Sequence, residues 1–383
     1  LQRLEELVTN INDLIENRIS KNLKTVSKCM LMDLNMSIVS LDTFVRKQEQ
    51  HTETMSALLQ GKNVEVENAV DDLIEIITTY PLDPQVLKDR AAADQEKDVQ
   101  TLKRHYNNNM YQALLKATKN SLGVLKKRVG ARNASNFMVE AKPFFEVDVG
   151  ISAPSVLLEP SLDDVQRAIN KAAKAVLSFS HRLLEWGQRD VANDADKKTF
   201  FTRITKDVEI VRVVLLLTGS VQGCKVRVKE FVERFAKYDW LWQDDMNGAY
   251  KKFTATSPTL DDYARQLRDF EMIAEEIEFI PPTHNVGALQ LRTQNLKTGL
   301  VHQSTDWTIL YSSKLHAEAR KQMEALLEYM TARPSVDLSR EQLLADAHVR
   351  IEPIVVRRDL TGTRLSTHRD GQLHPVGQHP ETA

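Results

Sequence analysis

Glycine, proline, cysteine and aromatic residues are all scarce in this chain of 383 residues. Glycine and proline number 13 and 12, and aromatic residues make up 6% of the chain, so both helix breakers and typical strand residues are few. This composition favours long helices over sheets. The two cysteines, Cys29 and Cys224, are too few for a disulfide framework and indicate a reducing compartment.

A large excess of either charge is also missing, since 51 lysines and arginines stand against 53 aspartates and glutamates. This balance gives no global argument for binding nucleic acid or an anionic membrane. The longest apolar run, residues 213–217, follows directly after Arg212 and is far shorter than the roughly 20 residues of a membrane span. We therefore expect neither nucleic acid nor membrane among the partners.

Helical periodicity is abundant, and it is clearest at residues 221–253. Apolar side chains recur there at steps of three and four residues, at Val221, Cys224, Val228, Phe231, Phe235, Tyr238 and Trp242. Such a stripe lies along one side of a helix and must be buried against other helices. The pattern predicts an all-α fold, an elongated succession of helical bundles with a short extended connector and a disordered C-terminal tail.

Changes in the periodicity divide the chain into four predicted segments. Residues 1–141 are predicted to form an N-terminal helical hairpin or bundle. Residues 142–160 form an extended connector, because apolar and polar side chains alternate there with the period of a strand. Residues 161–332 form a second bundle region. Residues 333–383 lose all periodicity and are predicted to be an atypical, largely disordered tail.

The same periodicity predicts individual helices. The first helix, at the start of the chain, is expected to continue up to the polar run at 46–54, and a separate second helix is expected at 63–79. The helix at 200–218 carries apolar side chains around much of its circumference, so we predict that it is the most buried of the set. A last long helix is expected at 293–330.

One stretch has a partial likeness to a phosphate-binding loop, the glycine- and lysine-bearing segment at 219–225. Three residues instead of four separate its glycines, Cys224 precedes Lys225, and Val226 cannot ligate magnesium. A helix break with two glycines at a tight turn is therefore the favoured interpretation. Metal sites are disfavoured as well, because four histidines of the tail region are irregularly spaced, namely His348, His368, His374 and His379.

Other candidate side chains are better explained by packing and solvation. The acids of the pairs 244–245 and 275–276 fall where helix ends and helix surfaces usually carry charge. Trp242 and Trp307 lie in phase with apolar stripes, whereas Trp240 does not, so a binding platform is disfavoured. The basic run at 126–128 has no interleaved aromatic residues and favours a solvated helix face over a nucleic-acid site. We predict no catalytic, cofactor-binding or metal-binding residue.

Four stretches in a fixed order resemble the tail, or stem, of an axonemal dynein heavy chain of the outer-arm type. They cover roughly residues 144–330, and their order and spacing carry the resemblance. The stretches are FFEVDV at 144–149 followed by PSLDDVQ at 160–166, FAKYDWLW at 235–242, IPP leading to GALQL at 280–291, and LK at 296–297 followed by Trp307, Tyr311 and Leu315.

The resemblance implies a stack of helical bundles between an amino-terminal dimerising region and the linker of the motor. In that family the ATP-binding modules lie downstream, so this segment is expected to be no enzyme and to bind no cofactor or small-molecule substrate. The implied partners are other dynein heavy chains, intermediate chains and light chains. The implied location is the cytoplasm and cytoskeleton, in the axoneme of a cilium. The sequence departs from the family near Arg333.

Two other classes of protein stay open at this point. An unrelated helical rod or tether, of the spectrin-like or vesicle-tethering kind, would carry a regular internal repeat, and the extended connector interrupts any such repeat. An enzyme with an unfamiliar helical active site would line a pocket with convergent polar groups. Nucleotide hydrolysis by the isolated chain would favour the enzyme over both scaffolds.

Overall fold

A computed structural model describes residues 2–79, 92–130, 142–152, 155–186 and 198–332. They fall into two compact units, each assembled from separate parts of the chain. The first unit draws its described residues from Leu1–Val149, Leu158–Glu233 and Thr283–Arg292. The second draws them from Gly150–Leu157, Arg234–Pro282 and Thr293–Ala383. The fold is mostly helical with a small sheet, which confirms the predicted fold class. The predicted tail at 333–383 lies outside the described residues.

The first unit is built mainly from helices. They are α1 (Gln2–Asp13), a π-helical stretch (Leu14–Ser20), α2 (Lys21–Lys28), α3 (Leu41–Thr79), α4 (Ala92–Arg128), α5 (Leu162–Arg182), α6 (Phe201–Ile204), α7 (Val208–Thr218) and α8 (Gln222–Glu233). Helix α3 packs against α2 and α5, and α4 packs against α2 and α7. Apolar side chains of the π-helical stretch and α3 form a buried cluster that includes Leu14, Ile19, Val66 and Val70.

The first predicted helix is shorter than its apolar pattern indicates. It ends at Lys28, and α3 then runs unbroken through both the polar run at 46–54 and the predicted second helix at 63–79. The hydroxyl of Ser40 accepts a hydrogen bond from the Thr43 amide at 3.4 Å and starts α3. Just before it, the backbone of Val39 bonds to β-strand backbone instead of continuing a helix. The expectation of a helix continuing to 46–54 is therefore wrong.

A four-stranded sheet includes the segment whose residues alternate in polarity. Its strands are β1 (Phe145–Ser152), β2 (Ser155–Glu159), β3 (Thr283–Val286) and β4 (Leu289–Arg292), in the spatial order β2-β1-β4-β3. Strand β1 runs parallel to β4, and β3 pairs antiparallel with β4. Phe145, Val147 and Val149 are buried and the residues between them are half-buried, as the strand period predicts.

The register of β1 against β4 is reinforced by a forked ion pair. Asp148 and Arg292 are direct partners across the two strands. The Arg292 guanidinium donates from Nε to Asp148 Oδ1 at 2.6 Å and from Nη2 to Oδ2 at 2.7 Å. Such a bidentate pair fixes geometry as well as contributing energy, so it holds distant parts of the sequence in one register.

The turn between β3 and β4 requires glycine. Gly287 has a φ of +61°, a conformation that residues with a Cβ rarely adopt. A Cβ at this position would also lie 2.9 Å from the Sγ atom of Cys224 on α8. Close packing of the turn against α8 therefore depends on the absence of a side chain at residue 287.

The second unit is organised around a pair of long helices. Its elements are a 3-10 turn (Ala236–Tyr238), α9 (Trp240–Gln243), α10 (Met246–Ala255), α11 (Leu260–Glu278) and α12 (Gln294–Ala332). Helix α12 packs against α9, α10 and α11, with Phe270, Trp307 and Tyr311 buried among them. The predicted last helix at 293–330 is thereby confirmed. Within the described residues, no helix has both the length and the apolar content needed to cross a membrane.

The stripe at 221–253 does not form one helix, contrary to the prediction. Helix α8 ends at Glu233, and three short helical elements follow. The Tyr238 amide donates to the Phe235 carbonyl at 2.9 Å, a tighter turn than an α-helix makes. The Asp245 carboxylate then accepts from the Asn247 amide at 3.1 Å and starts α10. The stripe residues from Val221 to Tyr238 are still buried, whereas Trp242 is half-buried and α10 buries no residue.

The prediction that the helix at 200–218 is the most buried is also wrong. The exposed fractions of Val208, Val211 and Leu215 on α7 are 81%, 43% and 66%, whereas Ile210 and Leu217 are buried. The physical reason is that α4 and α5 cover only part of the circumference of α7. Val208, Val211 and Leu215 are called the exposed α7 stripe below.

Candidate functional site

The three tryptophans weighed as a binding platform all lie in the second unit. Trp307 is buried, and its indole Nε1 donates to the Leu241 carbonyl at 2.8 Å. Its ring centroid lies 5.1 Å from that of Trp240 in an edge-to-face arrangement. Trp242 is half-buried, and its Nε1 has no hydrogen-bond partner among the described residues. Trp240 and Trp307 thus pack against each other inside the unit and form no open platform.

Of the four acidic candidates, Asp245 caps a helix and Glu276 forms contacts on a helix surface. Asp245 accepts from the Asn247 amide at 3.1 Å and the Gly248 amide at 3.0 Å at the start of α10. Glu276 accepts from Lys237 Nζ and from the Tyr238 hydroxyl, both at 2.6 Å. The hydrogen bond from Lys237 is the larger cause and that from Tyr238 the second, and both lower the pKa of Glu276. A general acid would need the opposite shift.

The glycine- and lysine-bearing segment at 219–225 forms a helix junction. Gly219 lies in the turn after α7, as predicted, but Gly223 lies inside α8, so the prediction of two glycines in the turn is half wrong. Gly223 has open space around its Cβ position, so the helix tolerates it without any special conformation. Lys225 forms an ion pair with Asp163 at 2.9 Å. The lysine is therefore engaged in a contact between α8 and the first turn of α5.

A metal centre is not found in the part of the chain that the structure describes. No group of three or more His, Cys, Asp or Glu side chains there could hold a metal ion. The four histidines of the tail region lie outside the described residues, so the expectation that they bind no metal stays a prediction. They are His348, His368, His374 and His379.

One candidate binding feature of the first unit is a groove between α4 and α7, called the α4–α7 groove. It encloses about 140 Å³. Its floor is apolar, from Leu122, Ile210 and Val213, and Gly123 adds no side chain to it. The residues that line it are Lys119, Leu122, Gly123, Lys126 and Lys127 from α4, and Glu209, Ile210 and Val213 from α7.

One lysine of the groove is neutralised by α7. Lys119 Nζ lies 3.0 Å from Asp207 Oδ2 and 2.9 Å from Glu209 Oε2. The hydrogen bonds to Glu209 and Asp207 raise the pKa of Lys119. Burial alone would raise the pKa of Asp207, but the bond from Lys119 and the amides of the α7 cap outweigh it, so the pKa is lowered. This charge cluster clamps α7 to α4 along the groove.

The remaining lysines of the groove keep their positive charge available. No ion pair joins Lys126 or Lys127 to a carboxylate of the described residues. Lys116 is exposed and lies eleven residues, or about three helical turns, before Lys127, so both occupy one face of α4. Arg128 points elsewhere, since its Nη2 bonds to the Met36 carbonyl at 2.7 Å. The groove therefore has an apolar floor and a basic rim.

The sequence contained a signal for this groove that composition and motif searches do not use. Lys116, Lys119, Gly123 and Lys126 recur at steps of three and four residues, which aligns them on one side of a helix. The sequence does not show that α7 forms the second wall, because α7 is distant from α4 in the chain and no sequence pattern links the two helices.

A second groove of the first unit is larger, and the charges of its lining residues sum to zero. It holds about 210 Å³ between α3 and α5, above Phe44, Ala168 and Ala172. An ion pair from Lys171 Nζ to Glu49 Oε1, at 2.7 Å, joins its two walls. Its rim mixes acids and bases, so it discriminates less between partners than the α4–α7 groove.

Comparisons with known proteins point to one group. The chain is 37% identical over 321 residues to the dynein gamma chain of the flagellar outer arm of Chlamydomonas reinhardtii, covering 83% of this chain. It is 23% identical to dynein axonemal heavy chain 8 of Mus musculus over 94% of this chain. It is 20% identical to the dynein beta chain of the flagellar outer arm of Chlamydomonas reinhardtii over 87%.

The shared region is a small part of those relatives. It makes up 7% of the gamma chain, 9% of the mouse heavy chain and 7% of the beta chain. No protein-family model matches the chain.

Proposed function

The chain belongs to the axonemal dynein heavy chain family, and from this premise we propose that it is a non-catalytic stem segment of an outer-arm-type heavy chain. In this role it is a structural and assembly element of a ciliary microtubule motor complex. Its proposed partners are other dynein heavy chains, intermediate chains and light chains. Its proposed location is the axoneme of a cilium, within the cytoskeleton.

One observation carries the proposal. Similarity to the gamma chain runs along 83% of this chain and covers only 7% of the relative. The chain therefore corresponds to one segment of a much larger motor. Helices such as α3, with 39 residues, suit the transmission of force, because load is shared over many backbone hydrogen bonds and packed side chains.

The side chains weighed for chemistry support a structural role. Trp307 is used in packing, Asp245 in helix capping, and Lys225 in an ion pair with Asp163. The groove residues of α4 and α7 are arranged for contact with another macromolecule, since they combine an apolar floor with charge at the rim.

The proposal is tested with the tagged full chain in ciliated cells. We expect that isolated axonemes release the chain together with dynein intermediate chains or other dynein heavy chains. Recovery of membrane-skeleton or vesicle-tethering proteins in their place would overturn the assembly role. Hydrolysis of MgATP by the purified chain, above that of a buffer control, would overturn the non-catalytic role.

A further inference from the structure

We propose that the α4–α7 groove binds an acidic amphipathic helix of a partner chain. This inference rests on the proposed assembly role and adds the chemistry of a partner to it. The occupant carries apolar side chains along the stripe that enters the groove and acidic side chains on both flanks. The basic rim and apolar floor of the groove recognise those two features separately.

Charge complementarity sets the sign of the partner. Lys126 and Lys127 line the groove, and Lys116 lies outside the lining, three residues before Lys119 on α4. The three lysines form no ion pair with a carboxylate of the described residues. Asp207 and Glu209 at the start of α7 both pair with Lys119, and this cluster carries one net negative charge, so the three lysines and the cluster together leave two net positive charges. An acidic segment would meet uncompensated lysines, whereas a basic segment would be repelled.

The spacing of the lysines on α4 favours a helix. Lys116, which lies just before the groove lining, and Lys127 are separated by eleven residues of one helix, which is about 16 Å along its axis. A partner helix of three turns spans that length and places acidic residues opposite both ends. Between the ends, Gly123 lowers the α4 wall, so that a backbone or a branched apolar side chain of the partner can approach closely.

Other polyanions fit the groove less well. The groove lining contains no aromatic side chain on which a base could stack. An anionic membrane is recognised by a convex basic surface with apolar side chains that reach outward, whereas the apolar residues here form the floor of a depression. Protein is therefore the class of partner that the groove chemistry favours.

Gly123 offers a position from which a larger side chain can fill the groove. A Cβ placed on Gly123 meets no atom within 4 Å, and the same holds for Gly61 on α3. Gly123→Trp fills the space that a partner would occupy, and Gly61→Trp is its matched control on another helix. Lys126→Glu with Lys127→Glu reverses the rim charge. The matched control is Lys251→Glu with Lys252→Glu, an adjacent exposed pair on α10.

The binding experiment uses the full chain and two synthetic helical peptides of about 15 residues. Both carry leucine at helical spacing, flanked by glutamate in one peptide and by lysine in the other. By fluorescence anisotropy we expect saturable binding of the glutamate peptide only. Gly123→Trp and the Lys126, Lys127 reversal are each expected to weaken it roughly tenfold or more, while both control variants bind as the unaltered chain does.

Three results would overturn the inference. They are failure of the glutamate peptide to bind, equal binding by the Lys126, Lys127 reversal, and tighter binding of single-stranded DNA or of phosphatidylserine vesicles than of the peptide. The assembly role has its own readout in the recovery of dynein chains from axonemes. If the chain is recovered with dynein chains but binds no acidic peptide, the proposal for the groove is wrong and the proposed stem role is unaffected.

Discussion

The hydroxyl of Tyr238 donates a 2.6 Å hydrogen bond to Glu276, and Lys237 lies 2.6 Å from the same carboxylate oxygen. Tyr238 is buried, whereas the Lys237 and Glu276 side chains are both 57% exposed. Solvent therefore screens the ion pair, and the bond from the buried hydroxyl gives it a fixed geometry. Together they tie the 3-10 turn to α11 and lower the pKa of Glu276.

The stabilisation by Glu276 should depend on pH. Because its folded-state pKa is lowered, the contribution is present above the ordinary pKa of a glutamate and is lost as pH falls through the folded value. We expect Glu276→Gln to reduce the free energy of unfolding by less than about 1 kcal/mol near neutral pH, after allowance for solvent screening. The loss should diminish at acidic pH, below the folded-state pKa, where the Glu276 carboxyl is protonated.

Urea unfolding at the two pH values measures this effect. The neighbouring Glu275→Gln is the control, because Glu275 is exposed on the same helix and is expected to change stability little at either pH. An equal loss for Glu276→Gln at both pH values would contradict the prediction.

Two tryptophans of the second unit should respond differently to the same substitution. Trp307→Phe removes the donor to the Leu241 carbonyl and leaves a buried acceptor unpaired, so we expect a loss of roughly 2–3 kcal/mol. Trp242→Phe removes an Nε1 that has no partner among the described residues, so we expect a loss of less than about 1 kcal/mol. Chemical denaturation measures both, and a larger loss for Trp242→Phe would contradict the assignment.

Local periodicity predicted α11 and α12 better than the segments at 29–40 and 221–253. The stripe of α11 gave its position because α11 is one amphipathic helix that begins at a capping box of Thr259 and Asp262, and α12 is likewise one uninterrupted helix. At 29–40 the same method failed, since Val39 bonds to the backbone of Phe144 and Glu146, more than a hundred residues away. A pattern of polarity within one segment carries no information about such a distant backbone partner.

The sequence alone does not predict the α4–α7 groove, again because the groove depends on a contact between distant segments. The lysines of α4 could be placed on one face from their spacing, but the wall from α7 depends on the ion pairs of Lys119 with Asp207 and Glu209. The apolar character of α7 predicted deep burial. Burial, however, is set by how many neighbours a helix has, and Val208 and Leu215 face outward because none of the described elements covers them.

Gly123 and Gly61 should both raise stability when replaced by alanine. Each lies inside a long helix with open space at the Cβ position, so alanine restricts the unfolded chain without creating a clash. We expect each substitution to increase the free energy of unfolding by about 0.5–1 kcal/mol. Thermal unfolding measures the change. Gly287→Ala is the contrasting variant and should lower stability, because its φ is +61° and Cys224 is too close.

The exposed α7 stripe gives a comparison between two leucines of one helix. Leu217 is fully buried and Leu215 is 66% exposed, although both belong to the same apolar run. Leu217→Ala leaves a cavity and is expected to lower the free energy of unfolding by roughly 2–5 kcal/mol. Leu215→Ala should change it by no more than about 0.5 kcal/mol. Urea unfolding of the two variants separates the cases.

The difference in stability between the Leu217→Ala and Leu215→Ala variants shows whether α7 is partly exposed or fully buried. In a fully buried helix both leucines would lie in the core, and their alanine variants would lose similar amounts of stability. Similar losses would therefore contradict the exposure of Leu215. Because the two substitutions remove the same atoms from the same helix, helix propensity cancels, and the difference reports burial alone.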